Sequence, residues 1–192
     1  YDFTNVGSVV YFIADDGVHG QELWRSMGSS SGTEMVKDLK LGLPSSYPHE
    51  LVSYGGSLYF AADDGSHGDQ LWKYIGSGDP IMLDFNSPAP GDGADPSHLA
   101  VLPYFGAPDA KLYFGARDAR GGGLWRTDGT QAGTVLVQDF RPWGTDSSIN
   151  DTLVIGNKLL FSANDYTHVI ELWASDGTIP GTNIVRDIYV GA

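Results

Sequence analysis

Aspartates paired beside glycine and histidine are the residues of this chain best suited to chemistry. Asp15-Asp16-Gly17-Val18-His19 and Asp63-Asp64-Gly65-Ser66-His67 share one arrangement. Asn164-Asp165 followed by His168 repeats it, and Asp118 takes the same place in a further segment. Carboxylates close in sequence, in loops that glycine lets bend tightly, suit a hard cation with oxygen ligands, and Ca2+ fits best. Asp16, Asp64, Asp118 and Asp165 are the candidate ligands, with Asp15, Asp63 and Asn164 as additional donors. The competing expectation is that each aspartate accepts hydrogen bonds from the amides of its own turn. No stretch matches an EF-hand loop, and the histidines lack the close spacing of a zinc site.

Other chemistries have less to work with. There is no cysteine, so a disulfide framework and a thiolate nucleophile are excluded. No GxSxG elbow occurs. A catalytic site needs a convergent and asymmetric set of groups, whereas here the polar residues recur together. Neighbouring carboxylates in a loop do not by themselves define the separation a glycosidase needs. The expectation is that the chain is not an enzyme. Its 24 acidic against 11 basic residues give a net charge of −13, which argues against a nucleic-acid partner. No apolar run approaches the roughly 18 residues of a spanning helix, so membrane insertion is not expected. Cations, a partner protein and neutral glycans remain.

Tryptophan reveals what must hold these groups in place. Glu22-Leu23-Trp24, Gln70-Leu71-Trp72, Gly123-Leu124-Trp125 and Glu171-Leu172-Trp173 recur at intervals of 48, 53 and 48 residues. Tyr11-Phe12, Tyr59-Phe60, Tyr113-Phe114 and Leu160-Phe161 precede them; Asp38-Leu39, Asp84-Phe85, Asp139-Phe140 and Asp187-Ile188 follow. Each unit reads as four short strands, in the last unit Thr152–Ile155, Lys158–Ala163, Ile170–Ser175 and Asn183–Ile188. Gly55-Gly56 and Gly156-Asn157 are two-residue hairpin loops. Four-stranded antiparallel units at this period predict an all-β chain, a four-bladed β-propeller. The alternative is a four-blade segment of a larger propeller or array. The expected blades are 1–40, 50–88, 98–141 and 151–192 of one repeat domain, 1–192.

In such a blade the second and fourth strands run the same way. Asp16, Asp64, Asp118 and Asp165 should therefore share a face with Asp38, Asp84, Asp139 and Asp187. The four repeated tryptophans are expected to pack between blades. Trp143 and Tyr47, in connections on the acidic face, are the candidate contacts for a glycan.

Ala14-Asp15-Asp16-Gly17-Val18-His19-Gly20-Gln21-Glu22-Leu23-Trp24, Leu124–Thr134 and above all Glu171-Leu172-Trp173-Ala174-Ser175-Asp176-Gly177-Thr178 resemble the ELWxxDGT repeat family. The resemblance covers nearly the whole chain. It implies β-propeller repeats of a large exported or surface protein, and so an extracellular or cell-surface location. It implies no activity, because the family is defined by its repeat. Blade 1 departs from the signature with Met27-Gly28-Ser29-Ser30-Ser31-Gly32-Thr33, and blade 2 shortens the turn to Ile75-Gly76-Ser77-Gly78-Asp79.

The expected function is a non-catalytic binding or structural module for protein–protein interaction or assembly, with calcium as the candidate stabilising cation. A lectin-like carbohydrate-binding propeller is the first alternative, and an accessory domain of a glycan-active enzyme the second. With no methionine at Tyr1, the chain is expected to belong to a longer protein or assembly.

Overall fold

A computed structural model describes residues 1–85, 93–102, 110–142, 149–165 and 167–189, with the side chains of 141 and 142 left out. Trp143 lies outside the described residues. Four antiparallel sheets of four strands each follow one another along the chain, every sheet in simple up-and-down order. Blade 1 is β1 (Thr4–Val6), β2 (Val9–Asp15), β3 (Gln21–Ser26) and β4 (Thr33–Lys37). Blade 2 is β5 (His49–Tyr54), β6 (Ser57–Asp63), β7 (Asp69–Tyr74) and β8 (Ile81–Met82). Blade 3 is β9 (Ser97–Leu102), β10 (Lys111–Asp118), β11 (Gly121–Thr127) and β12 (Val135–Pro142). Blade 4 is β13 (Ile149–Ile155), β14 (Lys158–Ala163), β15 (Glu171–Ser175) and β16 (Asn183–Ile184). One 3-10 turn, Ser30–Gly32, is the only helical element among the described residues.

The recurring aromatics set the register. Phe12 pairs with Trp24, Phe60 with Trp72, Phe114 with Trp125 and Phe161 with Trp173 across the two middle strands. Side chains alternate sides along a strand, so each blade has a Phe/Trp face and an opposite face carrying the neighbouring leucine and tyrosine. Gly55 and Gly56 both have positive φ, 57° and 74°, which the two-residue hairpin between β5 and β6 requires.

The chain divides into two compact units, residues 1–93 and 94–192, each holding two blades. The core of the first sets Tyr11, Ile13 and Leu23 of blade 1 against Leu58, Phe60 and Trp72 of blade 2. The core of the second sets Tyr113, Leu124 and Phe140 of blade 3 against Leu159, Phe161 and Trp173 of blade 4. Both are the same junction, a Leu/Tyr face on a Phe/Trp face. Trp72, Trp125 and Trp173 are buried as expected; Trp24 is only partly so.

Fourth strands are shorter or more broken than the sequence suggests. In β4 and β12 the ladder skips a residue, Val36 and Val137, opposite the Leu-Trp pair. Such a bulge leaves one residue unpaired and bends the strand. The strand expected over Asn183–Ile188 ends at Ile184. Val185 still donates to the Leu172 carbonyl at 2.8 Å, but the amides of Ile188 and Tyr189 then turn to the Glu171 carboxylate.

Candidate functional site

The loops after the second strands repeat one small device. Asp16 Oδ1 accepts the N–H groups of Val18 and His19, both at 2.9 Å, and Oδ2 lies 2.7 Å from His19 Nδ1. Asp64 accepts from Ser66 and His67 at 2.8 and 2.9 Å, with His67 Nδ1 at 2.7 Å. Asp165 accepts from Thr167 and His168 at 3.1 and 2.7 Å, with His168 Nδ1 at 2.9 Å from Oδ2. In blade 3 an arginine replaces the histidine: Asp118 accepts the Arg120 amide and Nε, both at 2.8 Å.

The additional donors are also engaged. Asp15 and Asp63 each accept a glycine amide at 2.7 Å, from Gly17 and Gly65. Asp63 Oδ2 also meets Lys40 Nζ at 2.6 Å. Asn164 sits beside Asp165 in the loop after β14. Among the described residues, no group of three or more histidines and carboxylates gathers closely enough to hold a metal ion.

The electrostatics follow these contacts. The His19 ring, helped by the two turn amides, holds Asp16 down to about 2, and Asp16 in turn raises His19. Burial pushes Asp64 and Asp165 upward, but His67 and His168 with the turn amides outweigh it and leave both low. Asp38 and Glu22 also act on His19, Asp187 and Glu171 on His168, and Asp139 on Arg120. In blades 1, 3 and 4 the aspartate at or just after the end of the fourth strand is thus near enough to act on the basic side chain of the loop after the second.

The acids that sequence reasoning passed over are the buried ones. Glu22, the first letter of the repeated Glu-Leu-Trp, is fully buried in β3. It accepts the Ser46 amide at 3.1 Å, the Ser46 hydroxyl at 2.5 Å and the Leu39 amide at 3.3 Å. Burial raises its pKa against the pull of these donors. Glu171 accepts the amides of Ile188 and Tyr189 at 3.1 and 2.9 Å. Both carboxylates thus fasten the stretch that follows their blade's fourth strand. Gln70 stands at the same place in blade 2 and donates to the His67 carbonyl at 2.9 Å. In blade 3 Gly123 leaves no side chain, and a Cβ there would collide with the Gln138 carbonyl. Asp38 Oδ2 accepts the Gly42 amide at 3.0 Å, while Oδ1 of both Asp38 and Asp187 is buried without a partner.

His49 is a second omission. Nδ1 faces the Tyr47 carbonyl at 3.0 Å and Nε2 faces Asp69 at 3.3 Å. With an acceptor at each nitrogen, and Asp69 the stronger influence, the ring is pushed up to about 9. Tyr47 itself is 62% exposed, at a φ of 49°.

The turns between third and fourth strands are closed networks of hydroxyls. Asp128 Oδ1 accepts the Thr130 amide and hydroxyl at 3.0 and 2.7 Å; Asp176 takes Thr178 in the same way at 2.9 and 2.7 Å. Thr130 and Thr178 accept from Gly133 and Gly181 in turn. Thr127 meets Thr134, and Ser175 meets Thr182, hydroxyl to hydroxyl at 2.8 and 2.7 Å. Blade 1, whose sequence departs from the signature, builds the same turn. Ser26 meets Thr33 at 2.7 Å, and Ser29 accepts the Gly32 amide at 3.2 Å. Only the aspartate is missing, its place taken by Met27.

No protein-family profile matches the chain, and no curated protein matches it in sequence. Solved structures do. A puromycin-hydrolyzing peptidase of Mycobacterium tuberculosis superposes with a TM-score of 0.61 at 14% identity, over 96% of this chain and 28% of its own. A puromycin hydrolase gives 0.62 at 17% identity, over 97% and 28%. The β-propeller domain of the Trilobed protease from Pyrococcus furiosus, described as having an open velcro topology, gives 0.58 at 14% identity, over 99% and 55%. The chain spans less than a third of the two hydrolases and about half of the propeller domain. At such identities the likeness is one of fold, and the fold is that of β-propeller blades.

Proposed function

We propose that the chain is a non-catalytic propeller module for binding and assembly, with a partner protein as its ligand class. The observation that supports this most is that its polar chemistry is repetitive and self-satisfied. Asp16, Asp64 and Asp165 each close on a histidine and the amides of their own loop, and Glu22 and Glu171 close on backbone. Repeated groups that answer one another serve the fold, whereas catalysis needs unlike groups aimed at a shared point. The resemblance to ELWxxDGT repeats favours an exported or surface setting for the module. The solved neighbours include propellers within hydrolases, and such a setting would give this chain an accessory role.

The test is turnover, read together with a melt. The chain should leave peptide, ester and glycoside substrates unchanged, and turnover of any class that is lost on Asp16→Asn would sink the reading. Melting in EDTA and in millimolar Ca2+ decides the role of the loop acids, because a ligand of the folded state alone raises its stability by about 2.7 kcal/mol at a hundredfold excess over Kd. Aspartates that only cap turns give superimposable melts. A calcium shift lost on Asp16→Asn, Asp64→Asn and Asp165→Asn would make them ligands.

A further inference from the structure

Leu39 and Phe140 hold the same repeat position, each just after an aspartate. Phe140 is buried in the second unit's core and sets its ring on Trp173. Leu39 is shorter, and beside it, within the first unit, lies a solvent-open cleft of about 370 Å3. Small-ligand sites span roughly 300–1,000 Å3, so this one suits a single long side chain. Leu39, Leu41, Trp72 and Pro80 give it an apolar lining, and Leu41 is 81% exposed. Asp38 and Asp64 add carboxylates.

The cations around this cleft are already matched. Lys37 Nζ lies 2.9 Å from Asp79 Oδ2, and Lys40 Nζ lies 2.6 Å from Asp63 Oδ2. Asp64 has His67 at 2.7 Å. Asp38 is the lining acid that none of these cations pairs: Oδ2 accepts the Gly42 amide at 3.0 Å, and Oδ1 has no hydrogen-bond partner. Beside apolar walls an opposite charge is worth more to such a carboxylate than it would be in open water.

We propose that the cleft seats an arginine side chain of a partner protein, its aliphatic stem on Leu39, Leu41 and Pro80 and its guanidinium paired with Asp38. This rests on the partner-protein reading above and names what that partner must present. Arginine fits the chemistry because its stem covers apolar surface while the head stays polar. Its guanidinium is weakly hydrated, and its fork of donors matches a carboxylate. Asp64 strengthens the field at the site, since His67 and the turn amides keep it ionised. The net charge of −13 favours a cationic partner throughout. The ring of Phe140 takes up the equivalent space beside Trp173, so the second unit serves as an internal control.

Titration of the whole chain with Nα-acetyl-arginine methylamide, followed by NMR at the Trp72 indole and the amides of residues 37–41, tests the site. The expected result is saturable shifts there with a Kd of roughly a millimolar, the reach of a fragment this small. The Trp173 indole should stay still. The citrulline analogue, which keeps the shape and loses the charge, should bind at least about tenfold more weakly. Asp38→Asn, which can still accept the Gly42 amide, should weaken the arginine probe by about the same factor. Leu39→Phe fills the cleft and should abolish binding in a chain that melts no lower than the parent. Four outcomes overturn the proposal: no saturable shift, equal binding of the citrulline analogue, equal shifts at Trp173, or binding indifferent to Leu39→Phe. The non-catalytic reading fails on turnover and the cleft on these titrations, so either can fall without the other.

Discussion

The first unit and the second unit bury the same junction with side chains of different bulk. In the second, Phe140 is 2% exposed and sets its edge on Phe161 and Trp173, with ring centroids 5.6 and 4.9 Å apart. In the first, Leu39 occupies that repeat position and is only partly buried. A solvent-open cleft of about 370 Å3 lies there, lined by Leu39 and Trp72 together with Lys37, Asp38 and Asp64. The lesson is that this repeat preserves which face is apolar, while the quality of filling differs from one copy to the next. Interiors are close-packed, and a missing ring forfeits contacts outright.

The comparison can be broken most sharply by truncation. Phe140→Ala should cost about 4 kcal/mol, as deletion of a buried phenyl does. Leu39→Ala should cost only about 1 kcal/mol, because the side chain is half out of the core already. Equal losses in urea melts would mean that the cleft beside Trp72 closes in solution.

The buried glutamates make a second contrast. Glu22→Leu strands three donors in a buried setting and should cost about 3 kcal/mol. Glu171→Leu frees the amides of Ile188 and Tyr189, which lie in exposed residues, and water can take them at about 1 kcal/mol. Hydrogen exchange at residues 39 and 46, against 188 and 189, reads the difference directly. A smaller effect sharpens the packing contrast from the other side. Leu39→Phe should raise the first unit's stability by about 1 kcal/mol if the ring fits the cleft; a loss would show that the Trp72 neighbourhood is rigidly set.

The smallest effect is one of pH, and it belongs to the first unit. His49 is raised from the ordinary 6.5 to about 9 by Asp69. A raised histidine contributes fully below pH 6.5 and loses its contribution as pH climbs through about 9. The imidazole is 45% exposed, so screening keeps the effect under about 1 kcal/mol. The melt should fall slightly between those pH values, and His49→Gln should flatten that slope. A slope unchanged in the variant would assign it elsewhere.

Much of the fold was legible because its signals are local. Alternation marked the strands, glycine pairs marked hairpins, and the Trp24, Tyr11 and Asp38 sets counted the blades. The bulges were hidden, since Val36 and Val137 look like ordinary strand residues until the ladder skips them. For the acidic loops both meanings of Asp16 were on offer; the histidine rings that close on Asp16, Asp64 and Asp165 were assigned to the loops without their contacts. Glu22 was visible only as a letter of the repeat. Its partners are amides 17 and 24 residues further on, and no spacing rule reaches them. In blade 1 the turn looked altered because Met27 replaces an aspartate, yet Ser26, Ser29 and Thr33 keep the hydroxyl network that shapes it.

Those abbreviated fourth strands bear on how the molecule behaves in crowded solution. A sheet edge invites foreign strands when it is long, flat and unpaired. Here β8 and β16 offer two residues each, and β4 and β12 are kinked by skipped residues. None of the four presents a straight template on which another chain could lengthen the sheet. Recruitment through hydrogen-bonded edges, the usual beginning of fibrous aggregation, is thereby discouraged.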